Sequence, residues 1–203
     1  MAKTRQRPTT WEDGVFQFKI TLLGAEPPVW RRIQVTDCTV DDLHYHIQTA
    51  MGWENSHLHE FFIGHVRFGD PGLLDDDFGD QDVCDSRSVR LGELLARRRK
   101  GFRIRYVYDF GDYWEHEIQY EGRLTVEPKA KYPQCLDGAR ACPPEDVGGV
   151  WGYAELIEAL ADPQQEGAEQ LLDWAGDFDP DDFSPKSTTR AMRKGIPNWR
   201  SLL

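Results

Sequence analysis

Between Phe102 and Glu121 apolar and polar residues alternate along two runs separated by a short break, and this double alternation constrains the fold more than any other segment. Phe102, Ile104, Tyr106 and Tyr108 alternate with Arg103, Arg105 and Val107. Trp114, His116, Ile118 and Tyr120 alternate with Glu115, Glu117, Gln119 and Glu121. A period of two along both arms means two strands with one buried face each. The corner, Asp109-Phe110-Gly111-Asp112, offers a glycine for a positive φ and two carboxylates that can accept from nearby backbone N–H groups, as a tight connection requires.

The same periodicities give the rest of the order. Phe16, Phe18, Ile20 and Leu22 form a first strand that stops at Gly24 and Pro27-Pro28, and Val29, Arg31, Ile33 and Val35 form a second. Thr39 with Asp42 resembles a capping box, and Val40, Leu43, Ile47, Ala50 and Met51 follow at helical spacing to Gly52. His57 to Ile63 is predicted as a third strand, the run from Asp70 to Asp85 as a solvated acidic loop, and a short helix is expected around Leu91, Leu94 and Leu95. After Pro128 the chain reads as irregular. Two amphipathic helices follow, on Tyr153, Leu156, Ile157 and Leu160 and on Ala168, Leu171, Leu172 and Ala175. This order predicts an α+β fold, a mixed, mainly antiparallel sheet with one principal packed helix in β-grasp-like order and C-terminal helices. Residues 13–183 are expected to form a single domain, with 1–12 a flexible N-terminus and 184–203 a C-terminal tail.

Composition limits function. A chain of 203 residues with 39% hydrophobic and 12% aromatic residues can bury a sizeable core. A net charge of -11 disfavours specific nucleic-acid binding, which draws on Lys and Arg to neutralise phosphates. No run of 18 apolar residues exists, so no membrane partner is expected, and the basic, polar N-terminus lacks the apolar stretch of a secretory leader. Four cysteines are too few for a disulfide scaffold at this length and suit a reduced, cytoplasmic setting.

Candidate chemistry gathers in three places. His57 and His59, on one predicted strand face, and His116, on another strand, could hold zinc with a fourth position left for water, and Cys135 and Cys142 could make half of a structural zinc site completed by His57, His59 or His116. The competing reading makes His116 a buried, hydrogen-bonded histidine and the cysteines buried thiols or a redox-sensitive pair. Glu145 and Asp146, before Gly148-Gly149 and a helix, could act as general acid and base if one were desolvated, or could serve the entry to that helix. Asp109 and Asp112 face the same choice, and turn capping prevails unless they converge with Glu145 in a cleft. The Asp75 to Asp80 run lacks the glycine and glutamate positions of a calcium loop, and no phosphate-binding glycine loop or nucleophile elbow is present.

Several spaced motifs carry a resemblance: Val29-Trp30-Arg31-Arg32-Ile33, Met51-Gly52-Trp53 with Ser56-His57-Leu58-His59, the Tyr106 to His116 block, Cys142 to Gly149, and Trp174 with Phe178-Asp179-Pro180. Together they resemble the plasmid pRiA4b ORF-3-like family, whose members also bear the label of insertion-element passenger TnpR-like proteins. The resemblance implies a compact α+β domain found in plasmids, transposons and bacterial chromosomes, and brings no particular reaction with it. The residues contain no serine or tyrosine recombinase constellation. The leading expectation is therefore a noncatalytic cytoplasmic binding or accessory module that engages a protein or peptide through Trp30, Trp53 and Tyr113. Its competitor is a zinc-dependent, hydrolase-like enzyme built on the histidines and nearby carboxylates.

Overall fold

The computed structural model describes residues 14–74 and 82–196. The Asp75 to Asp80 run and the N-terminal residues 1–12 lie outside the described residues. The first hairpin is Gly14–Leu22 (β1) and Trp30–Thr36 (β2), followed by the helix Val40–Met51 (α1). The capping box forms as the sequence predicts. Thr39 Oγ1 accepts from Asp42 N, Asp42 Oδ2 accepts from Thr39 N, and Gly52 ends the helix at φ 116.

The third strand is His59–Ile63 (β3), shorter than expected. Two short strands that the alternation does not signal, Val66–Gly69 (β4) and Val83–Asp85 (β5), flank the small helix Pro71–Leu74 (α2). Leu91–Leu95 (α3) precedes the hairpin Arg103–Tyr108 (β6) and Trp114–Thr125 (β7), as anticipated. The segment read as irregular contains a strand, Gln134–Ala139 (β8). Gly149–Ala161 (α4) and Ala168–Ala175 (α5) come next, and the residues set aside as a tail form the helix Pro185–Lys194 (α6), which packs on β8 and α1.

One eight-stranded sheet runs β5-β4-β3-β6-β7-β1-β2-β8, antiparallel throughout except for the β4/β5 pair. The two hairpins therefore meet at the sheet's centre through β1 and β7. Alternate residues of these strands build one core with α1, α4 and α6: Phe16, Phe18, Ile20, Tyr106, Trp114 and Ile118 pack with Leu43, Ile47, Leu156 and Met192. Each large side chain buried this way contributes about 1.5–3 kcal/mol. The opposite face carries charge pairs, Arg105 with Glu115, Arg103 with Glu117 and Arg32 with Glu121, at 2.7 to 2.8 Å. Among the described residues no helix is long and apolar enough to cross a membrane.

Candidate functional site: the corner of the central hairpin

The strand pairing that makes the sheet also makes the site. β3 and β6 pair with His59 opposite Tyr108, and beyond that register Asp109 N donates to Leu58 O at 2.8 Å. The residues before β3 are thereby held against the corner after β6. Asp109 adopts φ 57 and its Oδ1 accepts from Gly111 N, while Tyr113 N returns to Asp109 O at 2.7 Å. The expected Asx-type turn is present. It leaves Asp109 Oδ2 directed at His57.

The loop before α4 closes over this corner. Trp53 Nε1 donates to Pro143 O at 3.1 Å, Glu54 N donates to Glu145 Oε1 at 2.9 Å, and Gly148 N donates to Asp112 Oδ2 at 3.1 Å. Gly149 lies so close that a Cβ there would stand 2.4 Å from Asp112 O, and its φ of +68 also favours glycine. Tyr108 bridges the two sides: its hydroxyl accepts from Ser56 N and donates to Glu145 Oε1, both at 3.0 Å.

His57 sits at the centre. Its Nε2 is 3.1 Å from Asp146 Oδ1, 3.6 Å from Asp109 Oδ2 and 3.8 Å from Glu145 Oε2. One ligand atom each from His57, Asp109 and Asp146 lies within 4.8 Å of the others. A metal with bonds of about 2.1 Å spaces neighbouring ligand atoms at roughly 3 to 3.5 Å, and the distances from His57 Nε2 to Asp146 and Asp109, 3.1 and 3.6 Å, lie near that spacing. His57 Nε2 is buried yet makes no hydrogen bond of acceptable geometry, and Asp109 is 6% exposed. Two of the carboxylate-bearing residues, Asp109 and Asp146, hold φ values of 57 and 58, a conformation non-glycine residues adopt at a cost. Burial pushes the Glu145 carboxyl above the ordinary range, opposed by the hydrogen bonds from Glu54 N and Tyr108. The side chains at the corner thus offer one imidazole, two carboxylates near it and a third whose pKa burial raises.

The other expected ligands lie elsewhere. The strand begins at His59, so His57 and His59 do not share a strand face. His59 is buried with its ring stacked on His44 at 3.4 Å and 4°. His116 is fully buried, edge-on to Trp53 at 5.2 Å, and burial lowers its pKa to about 3. Cys135 on β8 and Cys142 are free thiols whose pKa values burial raises. Among the described residues none of these four joins the group around His57. Trp53, expected as an exposed contact residue, is 3% exposed, wedged against Tyr108 and Trp114, so it has no surface to offer a partner. Trp30 is half-buried under Lys19 and Arg32, whose cationic groups lie 4.8 and 5.3 Å from its ring. Tyr113 is 48% exposed. Sequence reasoning did not single out Tyr108 or Glu54, whose contacts fix Glu145. Strand register was the missing signal, since only the β3/β6 pairing brings residues 54–57 to residues 108–112.

The fold is an α+β one, a mixed, mainly antiparallel eight-stranded sheet with packed helices. The chain belongs to the plasmid pRiA4b ORF-3-like family, whose model matches residues 14–187. It is 44% identical over 168 residues to the protein y4hQ of Sinorhizobium fredii (strain NBRC 101917 / NGR234), covering 82% of this chain and 84% of y4hQ. The crystal structure of the protein MM3350 from Methanosarcina mazei Go1 superposes with a TM-score of 0.75 at 36% identity, over 86% of this chain and 97% of that one.

Proposed function

We propose that this chain is a divalent-metal protein with a hydrolase-like centre in which His57, Asp109 and Asp146 hold the ion. The observation that carries the reading is the convergence of those three ligand atoms within 4.8 Å, around a buried imidazole nitrogen with no hydrogen bond. Three protein ligands leave positions open for water or substrate, the pattern of catalytic rather than structural sites, and a bound ion of this kind supplies a water acidified toward neutral pH. Glu145, held by Glu54 N and Tyr108 with its Oε2 3.8 Å from His57 Nε2, is the carboxyl beside these three residues that could take or give a proton. Asp112 positions the loop through Gly148 N. The four free thiols fit a reducing cytoplasm, and the mobile-element setting expected from the resemblance belongs to the same reading.

The test combines elemental analysis of protein purified without chelator with hydrolysis of activated ester and phosphate-ester substrates, before and after stripping and reloading. Near-stoichiometric metal in wild type, lost in Asp109→Asn together with hydrolysis, is the expected result. Absence of metal from wild type, or hydrolysis indifferent to stripping, would sink the reading.

A second reading, a noncatalytic module that engages a protein or peptide partner, draws on exposed aromatics: Trp151 is 81% exposed, Trp174 51% and Tyr113 48%. Affinity capture with wild type and with a Trp151→Ala, Tyr113→Ala variant tests it, since a contact surface loses its partner in the variant while the metal content stays unchanged.

A further inference from the structure

Helix α6 carries a stripe of positive charge: Arg193 and Lys194 stand in its last turn, where the helix dipole favours cations, but Lys186 and Arg190 have no such role. Lys186, Arg190 and Lys194 recur at four-residue spacing, with Arg193 beside them, and the helix contains no acidic residue. Like charges at these spacings repel, and Lys186 stands in the first turn, where the helix dipole disfavours a cation. Among the described residues Lys186 and Arg190 have no carboxylate partner. The chain as a whole has a net charge of -11, so the stripe runs against its average.

The stripe lies beside a cavity of about 450 Å³ bounded by Cys135, Pro185, Lys186, Thr189, Arg190 and Arg193, with no acidic residue in the lining. Its walls are fixed. Thr189 Oγ1 bonds both Cys135 N and Cys135 O, at 2.9 and 3.1 Å, locking α6 to the edge strand β8. Arg193 Nε donates to Pro133 O at 3.1 Å and its Nη2 donates to Lys131 O, so its position is set before any ligand arrives. Four residues of helix advance about 6 Å, so the cations form a ladder along one wall rather than a point.

We infer that the groove between α6 and β8 binds phosphate groups through Lys186, Arg190 and Arg193. Arginine and lysine donors lining one wall of a cavity without a competing carboxylate match the chemistry of phosphoryl oxygens. The ligand is either a soluble phosphorylated molecule or the backbone of a nucleic acid. The groove is separate from the hairpin corner, and residues 188–194 lie beyond the span matched by the family model.

The experiment titrates chelator-treated full-length protein with inorganic pyrophosphate by calorimetry and with a fluorescent 20-base-pair DNA duplex by anisotropy, at several salt concentrations. Arg190→Glu and Lys186→Glu are compared with Lys19→Glu, a control on the outward sheet face, and thermal melts confirm folding. Either probe is expected to bind wild type and the control alike and to bind the α6 variants at least tenfold more weakly. Pyrophosphate binding with no duplex binding identifies a soluble phosphate ligand. Duplex binding with a log-affinity slope against log salt of about -3, as three released counterions give, identifies a nucleic-acid backbone. Binding equal in wild type and the α6 variants would overturn the inference. So would binding of neither probe, including the case in which the stripe instead joins two copies of the chain, seen as a dimer in wild type that Arg190→Glu dissociates.

Discussion

The hydroxyl of Tyr108 donates to Glu145 Oε1 across 3.0 Å, joining the last residue of β6 to the loop that precedes α4. The same oxygen accepts from Ser56 N. Tyr108→Phe keeps the ring against Trp53 and removes both bonds, leaving an N–H and a carboxylate to find water. A loss of about 1–2 kcal/mol in urea unfolding is expected. Metal affinity falls roughly tenfold, because the group that orients the site's neighbouring carboxylate is gone. Unchanged affinity would separate Tyr108 from the site.

Glu145 gives the pH dependence a sign. Burial raises its folded pKa above the unfolded value, so the native state holds the proton more tightly. Its contribution to stability is fully present below the unfolded carboxylate range and is lost as pH rises through the folded pKa. Glu145→Gln keeps an acceptor for Glu54 N and cannot titrate. In metal-free buffer its stability relative to wild type should therefore rise as pH climbs from about 4 towards neutrality. A constant difference across that range would remove the desolvated carboxyl from the account.

His116 acts at the acid end. Its folded pKa of about 3 lies well below the ordinary value of 6.5, so on acidification the unfolded chain takes up a proton that the native state refuses. Stability then falls by about 1.4 kcal/mol per pH unit between those values. His116→Gln should flatten this part of the acid-unfolding profile, whatever it costs in packing at neutral pH. An identical acid slope in the variant would show that His116 does not govern it.

The difference between what the sequence disclosed and what it hid follows from the range of the interactions. The two central hairpins, α1 with its capping box and the inward side chains of β6 and β7 follow from periodicity and local capping. Strands β4 and β5 are four and three residues long, and the edge strands β5 and β8 pair with residues distant along the chain: Val83 opposite Arg67, Cys135 opposite Ile33. Helix α6 is mostly exposed and buries chiefly Met192, so its apolar face is too narrow to register. At the site His57, Asp109 and Asp146 each stand out in the sequence, but in separate groups: His57 in a histidine-cysteine ligand set, Asp109 paired with Asp112, and Asp146 paired with Glu145. Their convergence depends on register and on the closure of residues 142–149 over the corner, neither of which a single sequence displays.

Gly149 tests that closure. An added methyl group would meet Asp112 O at 2.4 Å on a backbone with φ +68, so Gly149→Ala must either displace the corner or strain α4's first residue. A destabilisation of about 1–3 kcal/mol is expected, accompanied by weaker metal binding. Loss of stability with metal affinity intact would show that the loop can move without the ligands.

The most direct measurement is a calorimetric titration of Zn²⁺ into chelator-treated wild type, His57→Ala and Asp109→Asn. One tight site per chain is expected in wild type, weakened at least a hundredfold in both variants, which remain folded by circular dichroism. No tight site in wild type, or a site that persists unchanged in both variants, would contradict it.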